Sequence, residues 1–299
     1  MASFENTMQD ADDVSKESGT APQERSIGLI IAEANNLSAE QVERVLAHQR
    51  TSGLKFGEAA IALGLVKGED VVWALSQQFH YPYSASGSKQ SNAELVMANQ
   101  PFGEQAERFR VLRRQIIMRM FSGEAPKRAV AVVSPDSGDG KTFFAANLAI
   151  AFSQLGGRTL LVDADMRSPR LHEIFGINNS SGLSGILAGR PESNVIHPLA
   201  DLPSLFVMPV GTQPPNPTEL LERPAFGLLM QELVNKFDYV IVDTPAASFG
   251  ADFAVIAARC GAALALARKD KTSVDALKDM SAVLNNTPGS LVGVVMNEH

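Results

Sequence analysis

The 299-residue sequence holds one cysteine (Cys260), one tryptophan and three tyrosines. A single thiol excludes a disulfide framework, a multi-cysteine zinc site and an intrachain iron–sulfur cluster, and it fits a reducing cytoplasm. No apolar run approaches the roughly 18–20 residues needed to cross a bilayer, so no direct membrane span is expected. The first ten residues, MASFENTMQD, have neither a basic start nor an apolar core and do not read as a signal peptide. Positive charge is also short: 26 basic residues against 33 acidic leave a net charge of −7, which argues against a protein that coats nucleic acid. Much of that charge is local. Residues 1–24 carry six acids and one base, and this tail reads as disordered.

Apolar residues recur at helical spacing from Ile27 to about Tyr83, and a serine-rich stretch around 84–92 follows. From about Phe102 a charged helix leads into apolar runs that alternate with helical segments. The runs are AVAVV (129–133), TLLVD (159–163), LFVMP (205–209), YVIVD (239–243), AALAL (262–266) and LVGVVMN (291–297). Continuous apolar strands separated by helices predict a mostly parallel sheet covered by helices on both faces. The expected organisation is an acidic tail at 1–24, a small all-α domain at 25–83, a linker at 84–100 and an α/β domain of P-loop type at 101–299. The small domain is duplicated: an offset of 29 residues superposes Gly28 on Gly57, Val42 on Val71, Leu46 on Leu75 and Gln49 on Gln78.

The chemistry is written most densely in SPDSGDGKT (134–142), which follows an apolar strand and opens a helix. In that context Ser137, Gly138, Asp139, Gly140, Lys141, Thr142 and Phe143 form a candidate phosphate-binding loop. Glycine turns aim backbone N–H groups at phosphate oxygens, and a helix N-terminus adds its positive dipole end. Lys141 is expected to bridge the terminal phosphates and the Thr142 hydroxyl to bind Mg²⁺. Pro135 stands where the consensus loop has its first glycine. Two further strands end in acids: TLLVDADMR places Asp163, Asp165 and Arg167 after one, and YVIVDTPAA places Asp243 after the other. Carboxylates at the C-terminal ends of parallel strands face the crevice where such sheets bind ligands. Asp243 is expected to hold a metal-bound water, with Asp163 and Asp165 as metal ligand or as acceptor of a hydroxyl proton.

These three motifs resemble those of the bacterial tyrosine kinases that control chain length in capsule and exopolysaccharide export. That family carries a P-loop, a second Walker motif of the form DxDxR and a Walker B motif of the form DTPP; here the last reads DTPA, with Ala246 at the second proline. The resemblance covers the second domain and includes GLSGILAG (182–189) and PPNPTELL (214–221). It implies ATP and Mg²⁺ as cofactors, a membrane-embedded chain-length determinant as partner, and a ring of protomers packed through Glu107, Arg110 and Arg113. It also implies a role for Arg167 at the nucleotide and for Asn297 at the adenine. Family members usually end in a tyrosine cluster, whereas Tyr81, Tyr83 and Tyr239 are the tyrosines of this sequence. The substrate is then expected on another protein. The alternatives are an ATPase switch without kinase activity, like ParA and MinD, and a nucleotide-bound scaffold. The signature lysine of the ParA and MinD loops is replaced here by Asp136.

The duplicated domain resembles the N-terminal domain of type II secretion and pilus ATPases, which binds cyclic di-GMP through tandem RLGxxLxxxGxLxxxxLxxxLxxQ motifs. The resemblance implies contacts from Arg25, Gly28, Gln49, Lys55, Gly57 and Gln78. Ser26 and Lys55 stand at the two leading arginine positions, and Asn35 replaces a glycine. Lysine reproduces only part of what arginine does on a base or a phosphate, so a helical adaptor for a partner protein is the other reading of this domain.

Overall fold

The computed structural model describes residues 26–78, 92–120 and 128–298, with 69, 77 and 78 by backbone alone. The acidic tail, Arg25, Tyr81 and Tyr83, the side chain of Gln78 and the first part of the predicted linker therefore lie outside the described residues. The chain divides into two units, Met1–Val66 and Lys67–His299. The division falls within the second copy of the repeat.

In the first unit, α1 (Ile27–Ala34), α2 (Ala39–Ser52) and α3 (Phe56–Ala62) pack around Ile31, Val45, Ala59 and Ala60. Ser38 starts α2 with a capping box. Its hydroxyl accepts from the Gln41 N–H at 3.3 Å, and the Gln41 side chain accepts from the Ser38 N–H at 2.8 Å. The Lys55 N–H is likewise bound by Glu58 at 2.9 Å ahead of α3. A Cβ at Gly28 would meet the Phe56 ring at 3.4 Å, so the repeated glycine lets α1 approach α3. Ser38→Ala is expected to cost about 1 kcal/mol locally. Hydrogen exchange should show faster opening of the first turn of α2, with the helix Lys141–Ser153 of the second unit unchanged.

Among the described residues, the second unit is built on seven strands: β1 (Val130–Val133), β2 (Thr159–Asp163), β3 (His197–Leu199), β4 (Leu202–Met208), β5 (Tyr239–Asp243), β6 (Ala262–Arg268) and β7 (Ser290–Asn297). Their order is β3-β4-β2-β5-β1-β6-β7, parallel except for β3, which pairs antiparallel with β4 at one edge. The helices are α4 (Gly68–Gln78), α5 (Val96–Asn99), α6 (Glu104–Met120), α7 (Lys141–Ser153), α8 (Leu171–Phe175), α9 (Leu183–Leu187), α10 (Pro217–Glu222), α11 (Pro224–Lys236), α12 (Asp252–Cys260) and α13 (Val274–Asn285).

The period-2 alternation of strand side chains sorts the core into two layers. Ala131, Val133, Leu160, Val162, Val240 and Val242 face Phe226, Met230, Phe253 and Ile256 of α11 and α12. Val130, Val132, Leu161, Ile241 and Leu264 face Phe109 of α6 and Phe144, Leu148 and Phe152 of α7. Both faces are buried, which is why these strands read as unbroken apolar runs. Of the stretch read as linker, Leu95, Met97 and Ala98 are buried in the second layer. The side chain of Asn147 on α7 accepts from the Met97 N–H at 3.0 Å and donates to the Glu94 carbonyl at 2.8 Å. Among the described residues, no helix is long and apolar enough to cross a membrane.

Candidate functional site

The C-terminal ends of β1, β2, β5 and β6 point to one edge of the sheet, and the loops that follow them build one crevice. After β1 the chain turns through residues 134–140 into α7. Positive φ within this loop occurs at Gly138 (+83°) and Gly140 (+93°), where glycine carries no steric cost. Pro135 needs no such freedom. Its carbonyl accepts from the Ser248 N–H at 2.9 Å, and the Ser134 carbonyl accepts from Ala247 at 2.9 Å, so the turn after β5 braces the base of the loop. From Gly138 to Thr142, no backbone N–H donates to another described group. Five consecutive amides at a helix N-terminus are thus left to an anion.

Lys141 folds back under the loop. Its ammonium donates to the Ser134 hydroxyl at 3.0 Å and reaches the Asp136 carbonyl at 3.4 Å, and the residue is 6% exposed. Burial lowers its pKa, while the surrounding charges of Asp243, Asp165, Asp139 and Asp136 push it up.

Asp163 and Asp243 are register partners on β2 and β5. They use their carboxylates differently. Both oxygens of Asp163 are engaged by backbone, Oδ1 by the Asp165 N–H and Oδ2 by the Leu171 N–H, each at 3.1 Å. Asp163 therefore shapes the loop that carries Asp165. Asp165 in turn takes the Arg167 and Ser168 N–H groups on Oδ1, at 3.1 and 2.9 Å. Asp243 is 1% exposed, yet neither carboxylate oxygen has a hydrogen-bond partner among the described residues. Burial pushes its pKa up to about 7, helped by the charge of Asp165 and opposed by the Thr142 hydroxyl and Lys141. Burial first, and then Asp243, also raise Asp163 well above the usual carboxylate range. Buried acceptors left empty beside a threonine hydroxyl are donors fit for a magnesium ion, which keeps several waters and takes one or two protein oxygens. Among the described residues there is no cluster of three or more acidic, histidine or cysteine side chains of the kind that cages a metal outright.

Arg167 is tied away from the loop backbone. Its guanidinium donates to Asp252 at 2.7 Å and to the Thr218 hydroxyl at 3.3 Å, and that hydroxyl donates to Asp252 at 2.6 Å. Asp252 is 2% exposed in the first turn of α12 and carries no motif in the sequence, while Thr218 on α10 belongs to the PPNPTELL segment. Asn297 ends β7 with its amide donating to the Asp139 carbonyl at 3.0 Å. Beside it lies a cleft of about 300 Å³ lined by Arg108, Phe109, Phe143, Met296 and Asn297 among others. Its apolar walls and its position at the start of α7 suit a planar base. Ser137 is exposed at the rim of the loop and Phe143 is half-buried.

On α6, Glu107 and Arg110 form an i,i+3 pair at 3.0 Å, and Arg110 also reaches the Pro101 carbonyl. Arg113 donates to the Ala151 carbonyl near the end of α7. In the first unit Gly57 is buried and Gln49 is half-buried.

The profile of the CobQ/CobB/MinD/ParA nucleotide binding domain matches residues 130–299. The sequence is 30% identical over 211 residues to CapB of Staphylococcus aureus, covering 70% of this chain and 91% of that one, and 30% identical over 193 residues to the tyrosine-protein kinase CpsD of Streptococcus agalactiae, covering 64% of this chain and 82% of that one. It is 34% identical over 209 residues to the tyrosine-protein kinase Wzc of Salmonella typhimurium, of whose length those residues make up 28%. The kinase domain of the Escherichia coli tyrosine kinase ETK superposes with a TM-score of 0.65 at 28% identity, covering 70% of this chain and 81% of that domain.

Proposed function

The chain belongs to the bacterial tyrosine kinases within the CobQ/CobB/MinD/ParA nucleotide-binding family, and from that premise we propose that it transfers a phosphoryl group from ATP to a tyrosine of another protein, in the machinery that sets capsule or exopolysaccharide chain length. The single observation that carries this reading is the buried Asp243, with both oxygens free beside Lys141 and the unpaired amides of the loop. Bound Mg²⁺–ATP would supply the phosphoryl group and the charge that Asp243 and Thr142 are built to hold. The rest falls to the chain. Loop amides and the Lys141 ammonium bind and orient the phosphates, offsetting the charge that develops there. Asp165, with two N–H bonds on one oxygen, holds its carboxylate ready to accept a hydroxyl proton. Asp163 positions that loop.

Tyr239 opens β5 with its ring 4.7 Å from Phe152, which supports a core role and an acceptor tyrosine supplied from elsewhere. A cytoplasmic location beside a membrane-embedded chain-length protein, and a homo-oligomer packed through Glu107, Arg110 and Arg113, follow from the same premise. Cyclic di-GMP remains the proposed ligand of the small unit, and calorimetry on the full chain decides it. The kinase reading is tested by incubating the chain with ATP and Mg²⁺, with and without the cytoplasmic part of that membrane protein. Phosphotyrosine is expected on the partner, and mass spectrometry should cover Tyr81 and Tyr83 as well. Hydrolysis without phosphotyrosine on either protein would replace the kinase with a switch, and neither activity would leave a scaffold.

A further inference from the structure

We propose that Arg268, Thr272 and Asn297 act as a clamp that presets the phosphate-binding amides, with the carboxylate of Asp139 as its anchor. The proposal rests on the nucleotide-binding reading of the loop and names residues that set its geometry from outside.

Four contacts converge on three loop residues. The Arg268 guanidinium at the end of β6 donates to the Gly138 carbonyl at 3.0 Å. The Asn297 amide at the end of β7 donates to the Asp139 carbonyl at 3.0 Å. The Thr272 hydroxyl donates to Asp139 Oδ1 at 3.2 Å, and Asp139 Oδ2 accepts from the Asp136 N–H at 3.0 Å. The clamp is itself braced. The Arg268 N–H is bound by the Thr272 hydroxyl at 2.7 Å, and the Lys269 N–H by the Asn297 carbonyl at 2.8 Å.

Peptide planarity turns these contacts into a statement about binding. A carbonyl and the N–H that follows it point in opposite directions across a trans peptide. Holding the Gly138 carbonyl outward on Arg268 therefore aims the Asp139 N–H inward. Holding the Asp139 carbonyl on Asn297 does the same for Gly140. Both inward amides lack a partner among the described residues. Without the clamp, flanking glycines at φ +83° and +93° would let these planes rotate at little cost. The fit at Asn297 is close: a Cβ on Gly140 would lie 2.6 Å from its amide nitrogen.

Asp139 answers a second problem. A carboxylate in an anion-binding loop repels phosphate, yet this one is 3% exposed and has an oxygen on each of two hydrogen bonds. One oxygen is bonded by Thr272 from outside the loop and the other by the Asp136 N–H within it, and its own carbonyl is held by Asn297.

Groups that act by preorganising ground-state contacts change binding and leave the chemical step alone. Thr272→Val keeps shape and removes the donor; it is expected to raise the Kd for Mg–ADP and the KM for ATP about fivefold to tenfold, with kcat changed less than about twofold. Thr272→Ser should restore the wild-type values. Lys271→Ala, in the same turn, serves as control. Arg268→Met should repeat the effect. Asn297→Ala separates the clamp from a contact to the base, since a clamp weakens Mg–pyrophosphate and Mg–ADP by the same factor. Loss of ADP affinity alone would overturn the clamp at Asn297. A Thr272→Val protein that melts normally and binds Mg–ADP within twofold of wild type would overturn it as a whole. A Thr272→Val protein with unchanged KM and a smaller active fraction would reduce Thr272 to a structural residue. A wild-type chain that binds no nucleotide would instead sink the underlying reading, and the clamp with it.

Discussion

Lys141→Met is expected to lower phosphoryl transfer on the order of 10³-fold while leaving the melting temperature within about 4 °C of wild type. The activity term follows from position. Lys141 is the cation buried beneath the loop amides, and no described neighbour can replace it. The stability term needs more argument, because deleting one member of a buried charge cluster often costs about 3–5 kcal/mol. Here two effects oppose that cost. Burial already lowers the pKa of Lys141, so methionine removes a desolvated ammonium. The carboxylate it leaves behind also has a way out. Asp243 titrates at about 7 with Lys141 present, and without that charge it takes up a proton instead of standing as an uncompensated anion. Paired measurements of phosphotyrosine formation and thermal unfolding check both halves. A variant that keeps a tenth of its activity, or one that melts more than about 10 °C early, contradicts this account.

The legible parts of the site are those whose chemistry is local. SPDSGDGKT places its glycines, lysine and helix start within nine residues, and φ is positive at the two glycines flanking Asp139. β1, β2 and β5 were readable because burial on both faces writes them as unbroken apolar runs. β3 is not, since two half-buried residues around an exposed proline leave no periodic pattern. α5 falls in the stretch read as linker because four residues are too few to show a period, and its Met97 N–H is held by a distant partner, Asn147. Asp163 is legible as part of the site, whereas the Asp165 and Leu171 N–H groups that reach its oxygens depend on the path of the following loop. Arg268 and Thr272 stand more than 125 residues from the loop they grip, and nothing in their own neighbourhood marks them. The pairing of Arg167 with Asp252 and Thr218 is hidden for the same reason.

Asp243→Asn is expected to separate stability from function in opposite directions. Its folded-state pKa of about 7 lies roughly 3 units above the ordinary value of 3.8. In the free protein the native state therefore binds more protons than the unfolded chain between these two values. Stability contributed by this group is full below about pH 4 and is lost as pH rises through 7. At pH 8 the ionised, buried carboxylate costs about 4 kcal/mol. Asparagine carries no charge but leaves a buried amide incompletely bonded, a cost of about 1–3 kcal/mol. The nucleotide-free variant should then exceed wild type by about 1–3 kcal/mol at pH 8, and the difference should vanish or reverse at pH 4. Asp163, which burial and Asp243 raise together, keeps part of the pH dependence in both proteins. Phosphoryl transfer should fall about 10²–10³-fold, because a neutral amide oxygen holds a metal ion more weakly than the carboxylate does. Urea unfolding at pH 4, 6 and 8, compared between the two proteins, tests the sign. A variant less stable than wild type at pH 8 would mean that the carboxylate has a partner in the free protein. The empty oxygens of Asp243 would then no longer mark a metal position. If the predicted order holds, the fold tolerates a destabilising charge at this point because the nucleotide site requires it.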